Sequence, residues 1–280
     1  NPISELSYTT NNRKNFNVSG SFYGQLDFGK IWEPLDGLKY RIQFGPEFKF
    51  YQTGTFWDGD GINGDGNNTA KWNHYTTRAW TLDNLVYYDK TIAKDHKIGL
   101  TLMQSASGYH YDYSTSSSVG VAMDTELWYN MSSGTYTLGT GYSENQMSSY
   151  MIRANYGYKD KYMLTASVRW DGSSVLAEGH KWASFPSMAL AWRADQESFL
   201  RNVSWLSQLK LRLGVGVTGN SAISAFGTKG AIQGLYYNWG TTSSSLGYVG
   251  SDASSASPNK MQNNSLGWER TTQYNLGLDY

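Results

Sequence analysis

The feature that most constrains this chain is a period-two alternation of apolar and polar side chains, repeated along most of its length. From Lys14 to Lys30 the even positions read Phe16, Val18, Gly20, Phe22, Gly24, Leu26 and Phe28. The odd positions between them are Asn15, Asn17, Ser19, Ser21, Tyr23, Gln25 and Asp27. Successive strand residues point to opposite faces, so this run shows one apolar and one polar face over about 15 residues. Leu38, Tyr40, Ile42, Phe44, Pro46, Phe48 and Phe50 repeat it against Lys39, Arg41, Gln43, Glu47 and Lys49. A third run, near 79–88, has its apolar face interrupted by Asn84, and a fourth sets Ile98, Leu100 and Leu102 against Lys97, Thr101 and Met103. Further runs cover 150–158, 162–171 (after the tight turn Lys159-Asp160-Lys161), 188–192, 209–218 and 272–280. The expectation is an all-β chain of about nine meandering antiparallel strands.

A soluble sandwich alternates in the same way, so other features must separate it from a barrel in lipid. Several runs exceed the usual 5–6 residues and suit the ~9–11 that a tilted strand needs to cross a bilayer. Aromatics stand at the ends of the apolar faces, at Phe28, Tyr40, Phe50, Tyr88, Tyr150, Tyr158, Tyr162, Trp170 and Tyr280. Those are the places where girdles at the two headgroup layers sit. The connections also alternate, with short ones near 31–37, 90–95, 159–160 and 195–207 and long ones near 54–72, 108–148, 172–182 and 219–267. Short periplasmic turns and long outer loops are the habit of outer-membrane barrels. This reading accounts for an unusual balance among the 280 residues, 15% aromatic although hydrophobic residues make up only 39%.

Other classes are excluded more simply. The chain has no cysteine, which removes disulfide scaffolds and thiolate chemistry. Its 23 Lys plus Arg balance 23 Asp plus Glu, which argues against nucleic acid as a partner. No run of about 18 apolar residues forms a membrane helix. Asn1-Pro2-Ile3 has the character of neither half of a signal peptide, and an odd strand number is foreign to single-chain bacterial barrels. Both point to a piece of a longer protein. The four His, at 74, 96, 110 and 180, are scattered without metal spacing, and no G-x-S-x-G or phosphate loop is present, so the chain is read as a non-enzyme.

Specific motifs then carry a resemblance. The hairpin around Lys159-Asp160-Lys161-Tyr162 is followed by Arg169-Trp170-Asp171-Gly172-Ser173-Ser174, by a strand with Trp182, Phe185, Pro186 and Ser187, and by Leu209-Lys210-Leu211-Arg212 running to Thr218-Gly219-Asn220. Leu266-Gly267-Trp268-Glu269-Arg270-Thr271-Thr272-Gln273 leads into Asn275, Gly277 and Asp279, and Leu82 to Lys90 forms an earlier segment of the same kind. In this order and spacing they resemble the SusC/RagA family of TonB-dependent outer-membrane transporters, over about two-thirds of the chain. The resemblance implies an internal portion of a roughly 22-stranded barrel. Residues 1–280 would then be partial barrel, with the plug and N-terminal extension absent from them. It further implies residence in the bacterial outer membrane in contact with its lipid, and import of oligosaccharides or peptides. A SusD-like surface lipoprotein acting as a lid and the TonB complex are its implied partners. The alternatives are a self-contained passive pore or adhesin barrel and a soluble carbohydrate-binding β-protein, whose apolar faces would have to meet in a dry core.

Candidate sites fall in the long connections. Trp57, Trp72, Tyr109, Tyr111, Tyr113, Trp128, Tyr129, Tyr236, Tyr237 and Trp239 offer flat rings for a substrate or a lid, and would equally bury against one another. Asp58, Asp60, Asn63 and Asp65 gather oxygen ligands on a Gly-rich backbone and form a candidate structural Ca²⁺ loop within 58–68, although Ile62 breaks the EF-hand frame. The alternative is a solvated turn-rich loop; no other cofactor is expected. Residues 116–130 are read as a short helix or irregular loop. Arg41, Lys49, Arg153, Arg169, Arg193 and Arg212, with Glu47 and Asp171, lie on the polar face, where pairing with one another or with a plug is the expected fate.

Overall fold

A computed structural model describes residues 4–200, 205–229, 232–239, 242–250 and 262–280, with backbone alone for the two segments between 232 and 250. The strands are β1 (Thr9–Ser19), β2 (Phe22–Asp27), β3 (Leu38–Trp57), β4 (Thr69–Ile92), β5 (His96–Val119) and β6 (Thr135–Tyr158). They continue with β7 (Tyr162–Ser173), β8 (Trp182–Arg193), β9 (Lys210–Asn220), β10 (Ile232–Trp239), β11 (Thr242–Gly250) and β12 (Glu269–Asp279). Among the described residues ten strands make one sheet in the order β1-β3-β4-β5-β6-β7-β8-β9-β12, with β2 also paired to β3. Apart from the steps from β1 to β3 and from β9 to β12, each neighbour follows in sequence, which is a meander.

Every alternating run falls on strand, and three expectations need correction. The run from Lys14 is two strands, because the ladder breaks at Gly20-Ser21, where the Gly20 N–H still reaches Pro46 O at 3.1 Å. The connections 54–72 and 108–148 shrink to 58–68 and 120–134, since β3 to β6 run on into them and reach 20 to 24 residues each. The connection 219–267 contains the β10–β11 hairpin, a separate two-stranded sheet. The short helix or irregular loop expected at 116–130 begins after β5 ends at Val119 and is the 3₁₀ segment Asp124–Ser133, broken at Leu127 and Asn130. Asn84 does not weaken β4: it accepts from Tyr40 Oη at 2.6 Å and donates to Gln104 Oε1 at 2.7 Å, so its amide is satisfied across three strands.

The chain divides into two compact units. The first comprises Asn1–Phe22, Phe44–Thr81 and Ser107–Glu144; the second comprises Tyr23–Gln43, Leu82–Ala106 and Asn145–Tyr280.

In the second unit the register aligns Tyr156, Leu164, Leu190, Leu213 and Leu276 in one row across five strands. The adjoining row, on the opposite face, is Asn155, Thr165, Ala189, Gly214 and Asn275. The apolar row is exposed, with Leu190 44% and Leu213 55% accessible, as are Ile152 and Met188 on the same face. A soluble protein buries such a face, because leaving it in water forgoes about 25 cal/mol per Å². Among the described residues of this unit the apolar row is therefore not packed into the dry core that the soluble reading needs. Tyr158, Tyr162 and Trp192 stand in register at one end of the face, Tyr150 and Trp170 at the other. From Tyr150 to Tyr158 the strand climbs roughly 26 Å, or about 20 Å of depth when tilted near 40°, close to the ~25 Å apolar band of an outer-membrane barrel.

The turns at the Trp192 end are tight. In the three-residue connections 93–95 and 159–161, Ala93 and Lys94 (φ 49° and 64°) and Lys159 and Asp160 (φ 52° and 56°) take consecutive left-handed conformations, the pair that tight hairpin turns use.

In the first unit the even positions of β1 and β3 also carry an exposed apolar face, with Phe16, Val18, Phe44 and Phe48. The buried core of this unit is a small cluster of Phe56, Ala70, Val121 and Trp128.

Candidate functional site

The aromatic candidates of the first unit separate by strand parity onto two faces. Trp72 and Trp128 lie with the even face. Trp128 is carried by the 3₁₀ segment and stacks on Trp72 at 5.6 Å with 19° between ring planes; Tyr129 meets Trp72 at 5.5 Å. Trp128 is buried, and a Cβ built on Gly54 would fall 2.3 Å from its ring, so the indole lies flat on bare β3 backbone. The segment is tied down by Asn68, whose carbonyl accepts from Gly120 N (2.8 Å) and Val121 N (3.2 Å). The chemistry available here is packing.

The odd positions show a different surface. Tyr51 faces Tyr75 at 5.5 Å, Tyr75 stacks with Tyr111 at 6.4 Å and 14°, and Tyr113 lies 6.5 Å from Tyr75 and 6.0 Å from Tyr111. These four rings from β3, β4 and β5 form one patch, with Tyr109 exposed two positions before Tyr111. Beside it Asn73 donates to Thr53 Oγ1 at 3.2 Å, and the Lys71 ammonium sits 4.8 Å above the Trp57 ring. Gly141 of β6 leaves room for Tyr113, because a Cβ there would fall 2.6 Å from that ring. Sequence reasoning missed Tyr51 and Tyr75. The available signal was the spacing of Tyr109, Tyr111 and Tyr113 at every second residue, which marks a strand face and asks for rings on the neighbouring strands.

The 58–68 loop is organised around a carboxylate from elsewhere. Glu5 accepts from Ile62 N at 2.8 Å, Asn63 N at 3.0 Å and Asn63 Nδ2 at 2.8 Å. The backbone N–H of Asn63 and then that of Ile62 favour the ionised form and hold the Glu5 carboxyl below its usual pKa. Asp58 Oδ1 accepts from Asp60 N at 2.9 Å, and Asn68 Oδ1 from Gly59 N at 2.8 Å. Two of the four proposed ligands are thus engaged in the loop's own hydrogen bonding, Asp58 as acceptor and Asn63 as donor to Glu5. Among the described residues no group of three or more His, Cys, Asp or Glu is placed to hold a metal ion. The side chains of Tyr236, Tyr237 and Trp239 lie outside the described residues.

Four of the six basic residues expected on the polar face are paired with carboxylates: Lys49, Arg169, Arg193 and Arg212. Arg169 donates to Asp171 at 2.6 Å and to Ser149 at 3.1 Å, and Arg212 to Asp279 at 2.6 Å. Lys49 meets Glu47 at 2.8 Å, and the Arg41 guanidinium lies 4.1 Å over the Tyr23 ring. In the turn after β8, Asp195 is buried against Arg193 (2.8 Å), Gln196 (2.8 Å) and Leu209 N (3.4 Å). The Arg193 guanidinium is the main cause that brings the Asp195 carboxyl down to about 2.

An antiparallel meander with exposed apolar rows, ring-bounded ends and paired charges on the reverse face is the wall of an outer-membrane β-barrel. No family model matches the chain. Two TonB-dependent receptors of Formosa agariphila are 31% identical over 286 residues and 28% identical over 284, each match taking in the whole of this chain and 27% and 25% of the receptor. The TonB-dependent receptor SusC of Bacteroides thetaiotaomicron is 40% identical over 146 residues, 49% of this chain and 13% of SusC. A solved structure of the RagAB peptide transporter superposes with a TM-score of 0.82 at 21% identity, over 98% of this chain and 29% of the transporter chain. The chain belongs to the SusC/RagA family of TonB-dependent receptors and corresponds to a section of the barrel. It spans about a quarter of the length of the relatives it resembles.

Proposed function

We propose that this chain is part of the barrel wall of an importer that takes an oligosaccharide or peptide across the outer membrane with energy supplied through TonB. The observation that carries the reading is the pair of adjoining rows in the second unit. One row is continuous leucine and tyrosine facing lipid; the other is amide, hydroxyl and small side chains of the kind that line a polar passage. The wall encloses, its paired charges keep the passage polar, and its outer ends receive the ligand. On this reading the plug and the TonB-contacting segment are supplied by parts of the transporter outside these 280 residues, and a SusD-like lipoprotein covers the outer end. RagAB is a peptide transporter, and the likeness of its barrel to this one supports import of one of the two cargo classes here.

The test is uptake of labelled oligosaccharides and peptides by cells carrying the full-length receptor, with and without a working TonB complex. Accumulation that collapses when TonB is inactivated is the expected result. Accumulation indifferent to TonB would identify a passive pore and remove the import reading.

A further inference from the structure

Within the first unit the two faces of the sheet differ in charge as sharply as in ring content. At the odd positions of 9–17, 51–57, 69–79, 107–119 and 135–143 there is no carboxylate, and Arg13 and Lys71 are the only charged residues. The remainder are Tyr, Trp, Asn, Thr, Ser and Gly, with one Ala and one Val. The even face of the same strands carries carboxylates and sets them against cationic groups: Arg78 with Asp112 at 2.9 Å, and His110 within 3.4 Å of Asp112 and 3.8 Å of Glu144. Parity is secure, because Asn15 and Arg13 oppose Tyr51 and Thr53 in the β1–β3 register, and the ring contacts join odd positions to odd positions.

We infer that Tyr51, Tyr75, Tyr111 and Tyr113 form a binding platform for an oligosaccharide, on the face turned away from lipid. The proposal rests on the import reading and names which of its two cargo classes this surface takes. Pyranose rings present flat C–H faces to aromatic rings and a hydroxyl rim to neutral amides and hydroxyls, and both kinds of group stand together here. A peptide brings ammonium and guanidinium groups as often as carboxylates; the strand windows around the four rings offer them no carboxylate, and Glu47, four residues before Tyr51 on the same face of β3, is already paired with Lys49 at 2.8 Å. Arg13 and Lys71 leave room for an acidic sugar as well as a neutral one. Trp72 and Trp128, which belong to the packed even-face cluster, take no part.

The experiment uses the full-length receptor in detergent with two probe panels. One holds linear oligosaccharides of five to seven glucose, mannose, galactose or uronic acid units; the other holds peptides of similar mass. Saturation-transfer NMR and calorimetry should find binding within the sugar panel, with transfer to sugar C–H protons. Tyr75→Ala and Tyr111→Ala should each weaken that binding about tenfold, while Tyr75→Phe, which keeps the ring, should stay within about threefold. Heat-modifiable migration on a gel checks that each variant is folded. Binding confined to peptides, no binding by any sugar, or sugar binding unchanged in both Ala variants would each overturn the proposal. Failure of the import reading is distinguishable: TonB-dependent uptake of peptides alone refutes the platform and leaves import standing. TonB-independent uptake removes import, while the binding result still judges the platform.

Discussion

Gly54 and Trp128 show how one missing side chain supports a distant one. Because a Cβ at position 54 would fall 2.3 Å from the indole, Gly54→Ala should displace Trp128 and destabilise the Phe56–Ala70–Val121 cluster by about 1–3 kcal/mol. Faster proteolysis near residues 120–134, with the turns of the second unit unaffected, is the check; equal cleavage rates would refute it. Asp195 makes a second residue-scale prediction, in pH. Its carboxyl is depressed to about 2 from an ordinary 3.8, so its support for the turn after β8 is complete above the ordinary value and is lost as pH falls toward about 2. Hydrogen exchange at Leu209, whose amide the carboxylate accepts, should quicken over that window in the parent, whereas Asp195→Asn should lack the transition. None of this was legible from composition. Trp128 and Tyr111 both read as aromatic loop residues, and only the strand register tells the packed ring from the outfacing one.

At the scale of elements, the nine alternating runs were legible because lipid on one face and water on the other impose period two on every residue between the girdles. The ribbon ends were not. The stretch from Ser114 to Ser118 reads Ser-Thr-Ser-Ser-Ser, polar on both faces, so the pattern vanishes while the hydrogen-bonded ladder continues. Their length comes from pairing with neighbours, which no local window reports. The hairpin turns are legible in the opposite sense, as places where the sequence is not optimal. Ala93 and Lys94 both hold positive φ, a conformation that costs a residue with a Cβ roughly 1–2 kcal/mol and for which Asn-Gly is the favoured pair. Ala93→Asn with Lys94→Gly should raise stability by about 1 kcal/mol. Urea unfolding in lipid vesicles measures it, and an unchanged or lower midpoint would show that the turn is already relaxed.

At the scale of the molecule, the register makes a claim about solvent that a single residue step can test. Leu190 sits in the exposed row between Leu164 and Leu213, and Ala189, one residue earlier, sits in the opposite row between Thr165 and Gly214. Both are central, both are flanked by the same strands, and they differ in which side of the sheet they address. Arginine in the lipid-facing row near the middle of the bilayer should destabilise the barrel by about 2–4 kcal/mol, because the guanidinium must leave water or drag it in. At Ala189 the same side chain reaches a polar face that already carries Arg212 opposite Ala191, so Ala189→Arg should cost less than about 1 kcal/mol. Unfolding of the full-length receptor in bilayers, followed by heat-modifiable migration, compares the two directly. A soluble protein would reverse part of this order, since Arg at an exposed position is harmless in water and only crowding at Ala189 would matter. Equal effects would mean that the two rows do not face different solvents, and the wall assignment would fall with them. The family resemblance was readable in motifs such as Arg169-Trp170-Asp171-Gly172 and Gly267-Trp268-Glu269, yet the solvent on each face follows from the row pairing alone, and that is the physical property a transporter wall must have.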